Sequence, residues 1–151
     1  MRKSSGHSLF ELGVAVLLLV FMALLCTNVY ILYIGKAYNE RVCRESSALA
    51  AKAALEGKPT ESVQKAARSG MDSCGYGGVF INHPMFTHFE DEITSDVRVI
   101  KVQTQTLVAV PSPFLLFGRN LEATKNKVVY TSTYTYQIRN PKKAQSDDSD
   151  D

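Results

Sequence analysis

The chain opens on a pattern with no periodicity. Leu12 to Ile34 is a run of 23 residues without a charged side chain. Leu17 to Leu25 forms an almost continuous apolar centre. As a helix the run is about 34 Å long, enough to cross a hydrocarbon core of about 30 Å. Thr27 and Asn28 are the strongly polar residues in its outer half. Tyr30, Tyr33 and Tyr38 suit an aromatic belt at the far interface. From Lys36 to Leu55 the pattern becomes mixed, free of Gly and Pro, and rich in alanine at 48, 50, 51, 53 and 54. It predicts that the helix continues from about Leu9 to Glu56, as an Ala- and Ser-rich stem that other backbones can approach closely. Gly57-Lys58-Pro59 ends it. A second helix is predicted from Thr60, read as its N-cap, with Gly70 just past its end and a narrow apolar face at Val63, Ala66 and Ala67. It folds back on the first helix as a hairpin.

Beyond Gly75-Tyr76-Gly77-Gly78, read as a turn, the period shifts toward two. Asp96 to Val110 predicts a strand with Arg98, Ile100, Val102, Thr104, Thr106 and Val108 on one face, and Val97, Val99 and Leu107 on the other. Val128 to Ile138 predicts a second strand, with Val128, Tyr130, Tyr134, Tyr136 and Ile138 opposite Val129, Thr131, Thr133, Thr135 and Gln137. Val79 to Ile93 reads as a polar surface loop. Pro111 to Gly118 is an apolar connector that must pack under the sheet or against a partner. Lys142 to Asp151 is an acidic tail of disordered composition. The expected architecture is α+β: a long N-terminal transmembrane helix continuing into an exported stem, a second short helix, and a small antiparallel sheet. The segments are 1–6 as a basic leader, 7–35 as the membrane helix, 36–74 as the helical hairpin, 75–140 as the β-rich domain and 141–151 as the tail.

Composition narrows the function. The chain has 151 residues, with Lys+Arg 17 against Asp+Glu 15. Most of its strongest apolar run is committed to the span, so about 100 residues remain for a small module. A net charge of +2 carries no basic excess for nucleic-acid binding. No nucleophile stands beside a visible base. The spacing of His83 and His88 does not suit a helix face, and no third ligand is fixed by spacing, so no metal and no cofactor is expected. Arg2 and Lys3 precede the span with no acidic residue before Glu11, which puts the N-terminus in the cytoplasm by the positive-inside rule and the domain after Gly35 outside. The apolar run exceeds a removable signal's core, and no small-x-small site follows it. An uncleaved signal-anchor is the plain alternative. Export makes Cys43–Cys74 the natural disulfide, closing the hairpin in an oxidising compartment, with two free thiols as the other possibility. Cys26 lies inside the span.

Glu11 stands at the mouth of the span. A carboxylate in that position is a functional candidate by default, against the simpler reading of an interfacial charge. Gly6 lies five residues before it, in Gly6-His7-Ser8-Leu9-Phe10-Glu11-Leu12, after the short basic Met1-Arg2-Lys3-Ser4-Ser5. This resembles the processing site of type IV pilin-like precursors: a basic leader, Gly at the cut, Glu fifth in the mature chain, then an apolar helix. His7 departs from the aromatic first residue common in major pilins. The element order further resembles TadE-like proteins of tight-adherence (Flp) pilus systems. The resemblance spans most of the chain and is specific near Gly6 to Leu25. It implies a minor pseudopilin that is an assembly component, not an enzyme, cut between Gly6 and His7 by a prepilin peptidase. The implied partners are the lipid bilayer, other pilin-like subunits and an inner-membrane assembly platform. The implied location is a single-pass inner-membrane anchor with a periplasmic or extracellular head, incorporated in a pilus or not. A general type II pseudopilin and an anchored periplasmic binding module or enzyme are the alternative functions.

Overall fold

The computed structural model describes residues 5–111 and 127–139, with side chains from Leu9 onward. The predicted helix forms without interruption. Helix α1 runs Ser5–Leu55, 51 residues. It ends where the sequence changes chemistry. Gly57 takes φ +71°, and the amides of Gly57 and Lys58 donate to Ala54 and Ala53 carbonyls at 3.0 and 3.2 Å. That pair of reversed bonds is the Schellman closure, which a left-handed glycine permits at low cost. Pro59 then prevents continuation.

Helix α2 runs Thr60–Ser73. Its N-cap is Pro59 rather than Thr60, and no side chain caps it. Gly70 is buried inside α2 rather than just past its end. A β-carbon there would stand 2.8 Å from Ser46 Cα and 2.9 Å from the Glu45 carbonyl. The glycine therefore sets the closest approach of the hairpin. Nearby, the Ser46 hydroxyl donates to Ala67 O at 2.6 Å.

Three strands follow: β1 Met85–Ile93, β2 Val97–Ala109 and β3 Lys127–Arg139. They form one antiparallel sheet in the order β1-β2-β3. The last two match the sequence pattern, including the buried face Arg98, Ile100, Val102, Thr104, Thr106, Val108. β1 replaces the second part, from Met85, of the surface loop expected over Val79 to Ile93, while Val79 to Pro84 stays outside the strands. Its polarity hid it: as an edge strand it is largely exposed, and a register shift between Phe86 and His88 breaks its alternation. The apolar connector after Pro111 and the acidic tail lie outside the described residues.

Sheet and helices meet over small side chains. Ala50, Ala53 and Ala54 of α1, Val63 and Ala67 of α2, and Ile100 and Val102 of β2 form the core, flanked by Ala66, Phe86, Phe89 and Ile138. Alanine and glycine on the helix faces let the elements approach closely, so the sheet lies directly on the helix backbone surface.

One charged pair is enclosed in this packing. Arg98, only 3% exposed, donates to both oxygens of Asp91 on β1 at 2.8 and 2.6 Å. Its remaining terminal nitrogen reaches the Ala54 and Lys58 carbonyls at 3.4 and 3.0 Å. Ala54 O belongs to the last turn of α1, where the dipole favours a cation, and Lys58 O to the stop that follows it. The guanidinium holds the Asp91 carboxyl below its usual range, with a smaller contribution from Thr60 and against the effect of burial.

Two outcomes follow. Gly70→Ala forces the helices apart and should destabilise the head by about 1–3 kcal/mol, read as a lowered thermal midpoint in detergent. Asp91 has a depressed folded pKa, so its stabilisation is complete at neutral pH, above its unfolded value of about 3.9. That stabilisation is lost as pH falls below that value and through the lower folded pKa. Asp91→Ala should cost on the order of 3–5 kcal/mol at pH 7 by leaving Arg98 unpaired. The difference from the parent should shrink as a melting series is carried to pH 3 and below.

Candidate membrane and assembly helix

Helix α1 has two halves in different surroundings. From Leu9 to Leu24 every residue is exposed, and the sheet and hairpin leave this part untouched. Leu9 is 76% and Leu17 68% exposed. Water does not tolerate so large a continuous apolar surface, so this half needs a solvent or partner of its own. Among the described residues α1 is the one helix long and apolar enough to cross a membrane. Two polar residues near the outer end of this run are bonded or covered. The Thr27 hydroxyl returns to the Ala23 carbonyl at 2.9 Å, and Asn28 is buried at 1% exposure.

The second half carries a buried stripe at Asn28, Gly35, Asn39, Val42, Cys43, Ser46, Ser47, Ala50, Ala53 and Ala54. Strand β2 runs down this stripe antiparallel to the helix. The Arg98 guanidinium meets Ala54 O, and the Cys43 thiol meets Val102 O at 3.4 Å. Asn39 meets Thr104 and Thr106. Gly35 abuts the Val108 side chain so closely that a β-carbon would overlap it. The two elements cover comparable spans over these contacts, about 28 Å of helix and about 33 Å of strand. The end of β2 at Val108 is therefore the end nearest the exposed half of α1.

Asn39 is the polar centre of the seam. Its amide oxygen accepts from Thr104 and Thr106 at 3.2 and 2.8 Å. Its amide nitrogen donates to Tyr130 O and Ser132 Oγ at 3.2 and 2.9 Å. One side chain thus joins α1 to β2 and β3 in a single register, with both donors and both acceptor positions used. No described buried side-chain polar atom lacks a partner. This arrangement holds an element in place and offers no reactive group.

The residues singled out in the sequence are distributed along this helix. Gly6 and His7 lie in its first turn, by backbone. Glu11 follows one turn later, exposed. The expected Cys43–Cys74 disulfide is not formed: both thiols are free. The reason is the face each occupies. Cys43 points into the helix–sheet seam and also donates to Ser132 O at 3.2 Å. Cys74 follows α2, and its thiol returns to Gly70 O at 3.4 Å. Burial pushes the Cys74 thiol's pKa up, and Glu45 adds to that against the opposing Arg41. Spacing of the two cysteines brought them to the same part of the hairpin but could not report which face of α1 Cys43 uses.

His83 and His88 engage separate partners. His83 Nδ1 lies 3.1 Å from the Pro84 carbonyl, and His88 Nε2 lies 2.8 Å from Glu90. Among the described residues no three His, Cys, Asp or Glu side chains gather as a metal site. The positioning residues of the seam that sequence reasoning passed over are Asn39 and Gly35. Their signal was present: Asn28, Gly35, Asn39 and Ser46 share one helix face, a non-lipid stripe on an otherwise apolar and then charged rod.

Comparison of the chain with protein-family models, with curated proteins and with solved structures finds no match.

The free thiols are open to a direct check. Alkylation of membrane-derived protein without reductant should label Cys74, which is half-exposed, before Cys43, which should react only on unfolding. A linked Cys43–Cys74 peptide in non-reducing mass spectrometry would restore the disulfide.

Proposed function

We propose that this chain is a minor pilin-like subunit, TadE-like in character, anchored by α1 in a bacterial inner membrane with its head exported. In this reading a prepilin peptidase removes residues 1–6 and the mature subunit joins other pilin-like subunits at an inner-membrane assembly platform. The observation that carries it is Gly6 spaced five residues before Glu11, directly at the start of a helix whose apolar half stands clear of the head. A lone anchor requires the apolar half, but not a glycine and a carboxylate at that interval.

The physical chemistry is coherent. Gly6 lies in the first turn, where amides lack intrahelical acceptors and local unwinding into an extended conformation costs least. A peptidase could bind it there without a side chain to accommodate. Cleavage removes Arg2 and Lys3 and leaves an α-ammonium at His7. A cation at a helix N-terminus opposes the helix dipole. Glu11, one turn on, offsets that charge within the chain or from a neighbouring subunit. Pairing also reduces the cost of holding either ion in apolar surroundings. An intersubunit pair would fix the axial offset of packed helices, a role in register more than in stability.

The small size of the sheet, three strands among the described residues, supports the TadE-like reading over a general type II pseudopilin, for which a longer distal sheet is the expectation. The buried polar side chains of the described head are all engaged in hydrogen bonds that hold its elements together.

N-terminal sequencing of protein from cells with an active prepilin peptidase should read His7-Ser8-Leu9-Phe10-Glu11. Gly6→Val should block cleavage while membrane insertion persists. Glu11→Ala should leave cleavage intact and abolish assembly, seen as loss of the subunit from the sheared or cross-linked complex. A mature chain beginning at Met1 in that background would overturn the reading and leave Glu11 as an interfacial carboxylate on an ordinary anchor.

A further inference from the structure

We propose that the turn from Tyr76 to Phe80 is a membrane-contact element, through which the base of the head beds into the interface of the bilayer that α1 crosses. The inference rests on the reading of α1 as a membrane span.

Position is the first argument. Ile31 and Ile34 of α1 and the segment Gly77 to Ile81 together line an apolar cleft of about 150 Å³. Ile34 is the last apolar side chain before Gly35 and Lys36, and Lys36 is the first charge beyond the run. The turn is therefore level with the outer end of the span, where a bilayer passes from acyl chains to headgroups. Exposed Tyr30 and Tyr33 stand at the same level of the helix, in the zone where tyrosine is enriched.

Chemistry is the second. Val79 is 85% exposed and Tyr76 75%, with Phe80 at 40%. No Asp, Glu, Lys or Arg occurs from Ser73 to Phe89, so no charge has to be dehydrated when the turn meets the interface. An aliphatic and two aromatic side chains on a glycine turn are costly in water and suited to a headgroup–acyl boundary. The apolar surface is continuous with that of the span through Ile31 and Ile34, so the solvent that covers one covers the other. That continuity selects lipid as the occupant over a second copy of the chain.

Rigidity is the third. The Tyr38 hydroxyl donates to Gly75 O at 2.6 Å. The Ala109 amide donates to Phe80 O at 2.7 Å, and the Asn82 amide to Leu107 O at 2.9 Å. Gly77 sits against the Tyr38 ring and Ile81 with no room for a β-carbon. The turn is pinned to α1 and to β2, so its apolar side chains are presented with little ordering left to lose on contact. A membrane-seated turn would fix the tilt of the head relative to the bilayer.

The chain contains no tryptophan, so single introduced tryptophans report single sites. Full-length Leu17→Trp, Val79→Trp and Leu55→Trp proteins, reconstituted in phosphatidylcholine vesicles, are compared with lipids brominated near the headgroup or at mid-chain, at two protein-to-lipid ratios. Val79 is largely exposed, so its replacement disturbs no packing. Leu17→Trp should be quenched most by mid-chain bromine. Val79→Trp should lose about two-fold in intensity to shallow bromine at both ratios, as an interfacial aromatic does. Leu55→Trp, at the far end of α1, should be unaffected. Quenching of Leu17→Trp with none of Val79→Trp overturns the contact and leaves the span standing. A blue shift of Val79→Trp that is unquenched and grows with protein density assigns the turn to a second copy and also overturns it. An unquenched Leu17→Trp removes the span and the contact together. Leader cleavage is read separately by N-terminal sequencing, so its failure is distinct from all of these.

Discussion

The seam between β2 and the second half of α1 is the constraint on which the rest depends. A helix and a strand can run antiparallel over about 30 Å only if one offers a shallow surface and the other an unbroken face. Here Gly35, Ser47, Ala50 and Ala54 supply the shallow surface, and the alternate residues of β2 supply the face. Once β2 is seated, β1 and β3 pair on either side of it. The hairpin of α2 then closes the flank that the sheet leaves open. Among the described residues this seam is what joins the sheet to the helical hairpin, with α2 adding a smaller contact to β1.

Two polar devices turn a permissive surface into a single register. Alanine stripes slide past strands with little penalty, since each step replaces one methyl contact with another. Asn39 opposes such sliding: moving β2 by one residue would take Thr104 and Thr106 to the wrong face and leave an amide buried without partners. Arg98 does the same at the far end, binding Asp91 of β1, the Ala54 carbonyl of α1 and the Lys58 carbonyl just beyond the helix at once. The pair is buried at real desolvation cost, and the return is that helix end, strand and edge strand meet at one point. Its enclosed guanidinium also explains how a charged residue can occupy the buried face of a strand whose other members are aliphatic or hydroxylic.

Where the pattern was strong, the sequence foretold the fold. The uncharged run, the alanine-rich continuation, the Gly57-Lys58-Pro59 stop and the alternation of β2 and β3 each follow from local chemistry that tertiary contacts reinforce. Polar edge strand β1 escaped because an exposed strand with a register shift has neither a period nor an apolar face. Gly70 was misplaced for a related reason: glycine marks both helix ends and close helix contacts, and only the neighbouring Ser46 backbone distinguishes them. The cysteines illustrate the limit most plainly. Sequence put Cys43 on the right helix, but its thiol faces the sheet rather than α2, a matter of rotation about the helix axis. At the candidate site, Gly6 and Glu11 were legible as a spacing, whereas Asn39 acquired meaning only once three elements were seen to converge on it.

Mechanically, the unbroken α1 is a strut. Its only interior glycines after the first turn are Gly13 and Gly35, and no proline interrupts it, so it lacks the usual seats of a hinge. Gly35 is moreover wedged against Val108, which stiffens the place where the free and covered halves join. An axial push or pull on the apolar half would reach the head with little loss to bending. A rotation of that half would swing the sheet by the same angle. Load applied at one end of this molecule is therefore delivered at the other as displacement, not absorbed as deformation.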